Sequence, residues 1–288
     1  MLRLDPAFPP LWRSATTLQF GLEAVVVIDE PSPWQQRLIR ELEGGIPDAA
    51  LDPVAQALGA PADAAEDFVR RIRRALARPV PPALQICLQT PDRFSRARAT
   101  AVAEALVSAG MDVSDVTWFA APGELVRAQV PVVVLADHIV EPGRTAALMG
   151  ADVPHVPLVF TGTGAEVGPY VAPGRTPCLA CLAAHRRDAD PAWPHLAAQL
   201  LGRPAPQSSE ALTVEASLVT AHLLIEAVRR PRRLRSCSVT LREDSLHRST
   251  RAHRPHAACR CRSLGGTATA DVRAVPGTTT VTASALPA

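Results

Sequence analysis

Apolar and β-branched residues cluster over residues 16–20 and 24–28, and Gly21, Leu22 and Glu23 between them predict a β-hairpin. Pro31-Ser32-Pro33 ends the second strand and opens a helix, with Ser32 at its N-cap. Trp34, Leu38, Ile39 and Leu42 then recur at helical spacing until Gly44-Gly45. A short helix over 53–58 follows Asp52 and stops at Gly59. A third, over 62–77, carries Ala65, Phe68, Val69, Ile72 and Leu76 on one face. Two strands and three helices within residues 1–78 are the parts of a winged helix-turn-helix. Pro79-Val80-Pro81-Pro82 can continue neither neighbour and predicts an extended linker over 79–83.

Beyond the linker the pattern becomes an alternation of strands and helices. Strands are expected over 84–88, 116–119, 130–135 and 157–161, and helices over 96–109, 123–128 and 145–149. This predicts an α/β domain over 84–264, built on a mostly parallel, doubly wound sheet. A long helix over 209–228 is expected to turn Val214, Leu218, Ala221, Leu224, Ile225 and Val228 inward. Residues 265–288, mixed Thr, Ala, Gly and Pro, read as a disordered tail.

Composition fits a folded globule: 47% hydrophobic and 20% charged over 288 residues. Runs such as 130–136 are far shorter than the ~20 apolar residues of a membrane-spanning helix. The proline-broken start MLRLDPAFPP shows no signal peptide, so a cytoplasmic protein without a membrane partner is expected. The sequence has no lysine and no asparagine, an absence that a GC-rich coding bias explains. Its chemical consequence is that no Schiff-base, P-loop or general-base lysine exists here. A net charge of +2 conceals an asymmetry, because residues 229–262 hold eleven arginines against Glu243 and Asp244. Such a segment suits a solvated surface, pairing with the acidic remainder, nucleic acid or an acidic peptide.

Cys178-x-x-Cys181 and Cys259-x-Cys261 form the strongest chemical signal. Two short-spaced thiolate pairs are the common way to supply tetrahedral zinc, and a closed four-thiolate set makes that zinc structural. His256 is a candidate for supporting or replacing a ligand, while Cys87 and Cys237 read as core. The expected first strand-to-helix connection, Gln89 to Ser95, has no glycine and carries Pro91 and Phe94. Close backbone approach to a pyrophosphate is therefore impaired.

The stretch VVVLADHIVEPGRTAALMG (132–150), continuing to PCLAC (177–181), resembles the second half of ThiF/MoeB-type activating domains. Asp137, Arg144, Pro157, Gly168, Gly174, Cys178 and Cys181 fall on that pattern, with Cys259 and Cys261 as the closing zinc pair. LDPAFPPLWRSATTLQFG (4–21) and GRTPCLACLAAHRRDADPAWP (174–194) resemble the leader-peptide-binding, ThiF-like partner proteins of thiazole/oxazole-modified microcin clusters. The resemblance covers about residues 1–262 and implies a winged-helix RiPP recognition element followed by a degenerate ThiF-like, Rossmann-type domain.

It further implies a non-catalytic scaffold that binds a precursor leader peptide and presents it to a YcaO-type cyclodehydratase, in a bacteriocin-like pathway. The leader would add as a strand to the hairpin edge beside the third helix. The candidate peptide-binding residues are Thr17, Leu18, Gln19, Val26, Phe68, Arg71 and Arg74. Cys178, Cys181, Cys259 and Cys261 would hold structural zinc, and Asp137 and Arg144 would mark a relic nucleotide site without ATP. A homodimer is the expectation from ThiF-like relatives. An ATP-dependent adenylyltransferase is one alternative, which the missing glycines and lysine oppose. A winged-helix nucleic-acid binder is another, which the acidic start of the third helix opposes.

Overall fold

The computed structural model describes residues 1–79, 81–117, 130–233 and 235–261, without the side chains of 115–117 and 233. The helix expected over 123–128, the tail over 265–288, and Trp118 and Phe119 lie outside the described residues. Two compact units result, Met1–Pro82 and Ala83–Ala288.

The first unit holds an antiparallel sheet of β1 (Pro10–Trp12), β2 (Thr17–Phe20) and β3 (Val26–Asp29), in the order β1-β2-β3. It also contains helices α1 (Pro33–Gly44), α2 (Leu51–Ala57) and α3 (Ala64–Ile72). The expected hairpin is therefore a three-stranded sheet. Pro9 and Pro10 hid β1, because proline argues against a strand except at a sheet edge, which is where β1 lies. The register pairs Leu18 with Ile28 and Phe20 with Val26, and sends Leu18, Phe20 and Ile28 into a core with Leu38, Leu42, Phe68 and Ile72. At the head of α1, the Gln35 side chain accepts the Ser32 N–H at 2.9 Å.

In the second unit, β4 (Leu84–Thr90), β5 (Met111–Thr117), β6 (Val132–Asp137) and β7 (His155–Phe160) run parallel in the order β5-β4-β6-β7. β8 (Gly164–Val167), β9 (Cys237–Arg242) and β10 (Arg248–Ala252) extend the sheet antiparallel beyond β7. Its helices are α4 (Arg96–Ser108), α5 (Pro142–Gly150), α6 (Leu179–Ala189), α7 (Trp193–Leu200) and α8 (Glu210–Arg229). β6 is buried from Val132 to Ala136, as a parallel strand covered on both faces must be. Ile86, Leu88, Val133, Leu135 and Leu158 join the core with α4 and α8, while Cys87, Val132 and Val134 pack with Leu148 of α5. At Gly164 a Cβ would lie 1.9 Å from the Leu241 carbonyl oxygen, so only glycine lets β8 pair with β9 there.

The expected inward face of α8 is wrong in part. Val214, Leu218 and Val228 are exposed, and Thr213, Ser217 and Thr220 are buried instead. Their hydroxyls donate to the carbonyls of Ser209, Thr213 and Ala216, which satisfies them inside the core and lets the helix pack closely. α8 is long and apolar enough to cross a membrane by length and composition, yet its small-residue face is buried within this unit.

Candidate functional site

β4 leads through α4 to β5 on one side, whereas β6 lies on β4's other side, so the sheet's winding reverses between β4 and β6. Doubly wound sheets bind ligands at the carboxyl ends of strands beside such a reversal. Here the chain itself fills that crevice. Arg98, from the first turn of α4, donates to Asp137 at the end of β6 at 2.9 Å and to the Pro206 carbonyl at 2.7 Å. Its guanidinium lies 4.8 Å from the Phe160 ring centroid and 5.5 Å from that of Phe94. The two rings stand 5.9 Å apart. The Arg98 and Asp137 side chains are only 6% and 11% exposed. Burial pushes the Asp137 carboxyl above its ordinary range, opposed by the Arg98 charge and the Ala205 N–H. Arg98 and Asp137 thus pin residues 205–206 over the strand ends.

Arg144, the other candidate nucleotide residue, lies elsewhere. It is buried on α5, whose Leu148 packs with Cys87, Val132 and Val134 on the opposite face of the sheet, and burial lowers its pKa against the charges of Glu141 and Cys87. The structure does not pair it with Asp137. Arg98 went unread in the sequence, although its spacing to Val102, Ala105 and Leu106 puts it on the buried face of α4.

The four cysteines converge as expected. Cys178 caps the start of α6, Cys181 sits in its first turn, and Cys259 and Cys261 follow β10. The Sγ atoms of Cys178 and Cys259 are 3.6 Å apart, those of Cys181 and Cys261 3.5 Å, and those of Cys178 and Cys181 3.9 Å. All four lie within 4.8 Å of one another. Tetrahedral Zn–S bonds of ~2.3 Å require S–S edges of about 3.8 Å. The donor set therefore fits a closed tetrathiolate metal site, and the separations far exceed the ~2.05 Å of a disulfide. Burial, reinforced by the neighbouring thiols, pushes Cys178 up to about 11. Burial also raises Cys261, whereas backbone N–H donors, that of His256 foremost, overcome burial and lower Cys181. A bound dication would supply the charge that lets all four ionise together.

His256 supports this cluster. Its Nε2 pairs with Asp188 at 2.6 Å, its Nδ1 accepts the Ala258 N–H at 3.1 Å, and its carbonyl accepts the Cys259 N–H. Cys87 is buried as expected, and Cys237 is half-buried at the start of β9. A cavity of about 940 Å³ adjoins the cluster, walled by α5, α6 and α7. Arg186 at its rim bonds Glu166 at 2.8 Å and lies 5.1 Å from the Trp193 ring centroid.

In the first unit, Thr17, Leu18 and Gln19 lie on the middle strand, with β1 and β3 on either side. Leu18 and Phe68 are core residues, Val26 is partly buried on β3, and Arg71 and Arg74 are exposed. Both outer strands have a free edge, and β3 offers more outward donors than β1. Glu30 N–H donates to the Thr16 carbonyl, so by alternation Val26 and Ile28 face β2 and the N–H and C=O groups of Val27 and Asp29 face outward. At β1 the outward positions are Pro10, which has no N–H, and Trp12, which has one.

No family model matches the sequence, and no curated protein matches it. Solved structures do. A heterocyclase in complex with substrate and cofactor matches 91% of this chain at a TM-score of 0.67 and 16% identity. The heterocyclase TruD matches 92% at 0.63 and 15% identity. The chain spans only 39% and 43% of those two heterocyclases. E. coli MccB, solved with MccA, matches 91% of this chain and 99% of its own length, at 0.56 and 11% identity. At these identities the likeness is one of architecture, and this chain has the fold common to those heterocyclases and MccB.

Proposed function

We propose that this chain is a leader-peptide-binding scaffold, without catalytic activity of its own, that delivers a ribosomal precursor peptide to a YcaO-type cyclodehydratase forming thiazoles and oxazoles. The observation that carries this reading is the Arg98–Asp137 pair. An adenylating site needs an open crevice and a free carboxylate for a metal ion, and here arginine, two phenylalanines and residues 205–206 occupy that space. The absence of any lysine points the same way. Likeness to a heterocyclase with bound substrate and to MccB with MccA supports a peptide as the ligand.

On this reading the first unit is a winged-helix recognition element, and the leader adds as a fourth strand along β3. Val27 and Asp29 supply the backbone pairing, and Arg71 and Arg74 steer acidic leader residues. The four cysteines hold structural zinc that fixes α6 to the segment after β10. Titration calorimetry of the full chain with a synthetic leader, then with ATP and Mg²⁺, tests the proposal. Saturable leader binding without ATP binding is the expected result. ATP binding accompanied by pyrophosphate exchange would replace it with an adenylyltransferase.

A further inference from the structure

We propose that the outer edge of β10 is a second docking edge, which takes an acidic extended segment of a partner protein by strand addition. This goes beyond the leader-binding reading and rests on different residues.

β10 is the last strand of the sheet, with β9 on one side and no described strand on the other. The His253 N–H donates to the Ser236 carbonyl, so Ser249 and Arg251 turn their backbone groups toward β9. Arg248, Thr250 and Ala252 therefore turn theirs outward, where none has a backbone partner among the described residues. Ser249, Thr250, Arg251 and Ala252 are exposed. Sheet edges are commonly blunted by charge, proline, a bulge or a cover, and on β10 the device is arginine charge, which an acidic segment neutralises. β10 contains no proline, and its register with β9 is continuous over all five residues.

Charge identifies the occupant. Arg251 lies on β10, Arg254 just beyond it, and Arg235 in the segment that enters β9. All three are exposed and lack a carboxylate partner among the described residues. Four acids of this unit are already engaged: Asp244 by Arg242, Glu215 by Arg248, Glu166 by Arg186, and Glu243 by the Ser209 N–H. A second copy of the chain would bring the same arginines into the seam, and like charges across strands are destabilising. Residues 262–288 offer one acid, Asp271, against Arg262 and Arg273. An acidic strand satisfies both the free backbone groups and the unpaired guanidinium groups.

The test uses the full chain and a soluble peptide of alternating Glu and Val, with its Lys-Val counterpart as control. The Glu peptide should bind, weaken as salt rises, and slow hydrogen exchange at Thr250 and Ala252. N-methylation of its edge-facing amides should weaken it about tenfold or more, as should Arg251→Glu with Arg254→Glu. Thr250→Pro removes only an outward N–H of β10, so it should abolish the protection at Ala252 while keeping the fold. Equal binding of the N-methylated peptide, or no protection at Thr250 and Ala252, would overturn the proposal. So would self-association through β10, or displacement of the peptide by duplex DNA from the same arginines.

Discussion

Arg98 and Asp137 meet at 2.9 Å across the carboxyl ends of the parallel strands, each nearly closed off from water. Removing one partner of a buried pair strands the other charge, whereas removing both need not. Asp137→Ala should therefore cost about 3 kcal/mol. Arg98→Met with Asp137→Leu should fall within about 1 kcal/mol of the parent. Urea midpoints for the single and double variants measure this, and equal losses in both would show that the two side chains do not act as a unit.

The thiol cluster predicts about one zinc per chain. Cys181→Ser should abolish stoichiometric metal and lower the melting temperature by about 10 °C or more, given that a structural site contributes several kcal/mol. Elemental analysis paired with thermal scans, with and without chelator, tests both statements. A metal-free chain that melts at the same temperature as the loaded one would refute them.

The leader edge makes a sharper claim about one backbone group. Val27→Pro deletes an outward N–H of β3 without touching its pairing to β2, so leader affinity should fall about tenfold or more with little loss of stability. Arg71→Glu with Arg74→Glu should slow association with an acidic leader and reduce its salt dependence. Stopped-flow binding at two ionic strengths separates the two effects.

His155 predicts a loss of stability in acid. The ring is fully buried, its Nδ1 donates to the Val153 carbonyl at 2.9 Å, and Nε2 has no partner among the described residues. Burial lowers its pKa from 6.5 to about 4. Above pH 6.5 both folded and unfolded states are neutral, and His155 adds no pH dependence. Between 6.5 and about 4 the unfolded chain binds a proton that the folded ring refuses, so stability falls by up to about 3 kcal/mol. His155→Leu should flatten that slope in denaturation series at pH 7, 6 and 5.

The fold was legible where one periodicity dominated. α1 announced itself by Leu38, Ile39 and Leu42 between a proline start and a double glycine, and β6 by its unbroken valines. The cysteine pairs were legible because short spacing limits what four thiols can do. β1 was not, since its prolines satisfy an edge strand only in the presence of β2. The buried face of α8 was misread because Thr213, Ser217 and Thr220 count as polar until their hydroxyls bond the preceding turn. The filled crevice was half legible: the missing glycines point to a poor nucleotide fit, but nothing in the sequence marks Arg98 as the partner of Asp137. That pairing joins positions 39 residues apart, and pattern along the chain does not report it.

The cluster joins Cys178 and Cys181 to Cys259 and Cys261, with residues 182–258 between the two pairs. During synthesis the first pair emerges from the ribosome long before the second, and two thiolates alone make a weak, open site. Tight capture of a metal would therefore wait until α6, α7, α8 and the β9–β10 hairpin have all been made and have brought Cys259 and Cys261 home. Metal occupancy in this chain would then serve as a certificate of assembly, stamped only on copies whose β9–β10 hairpin has docked.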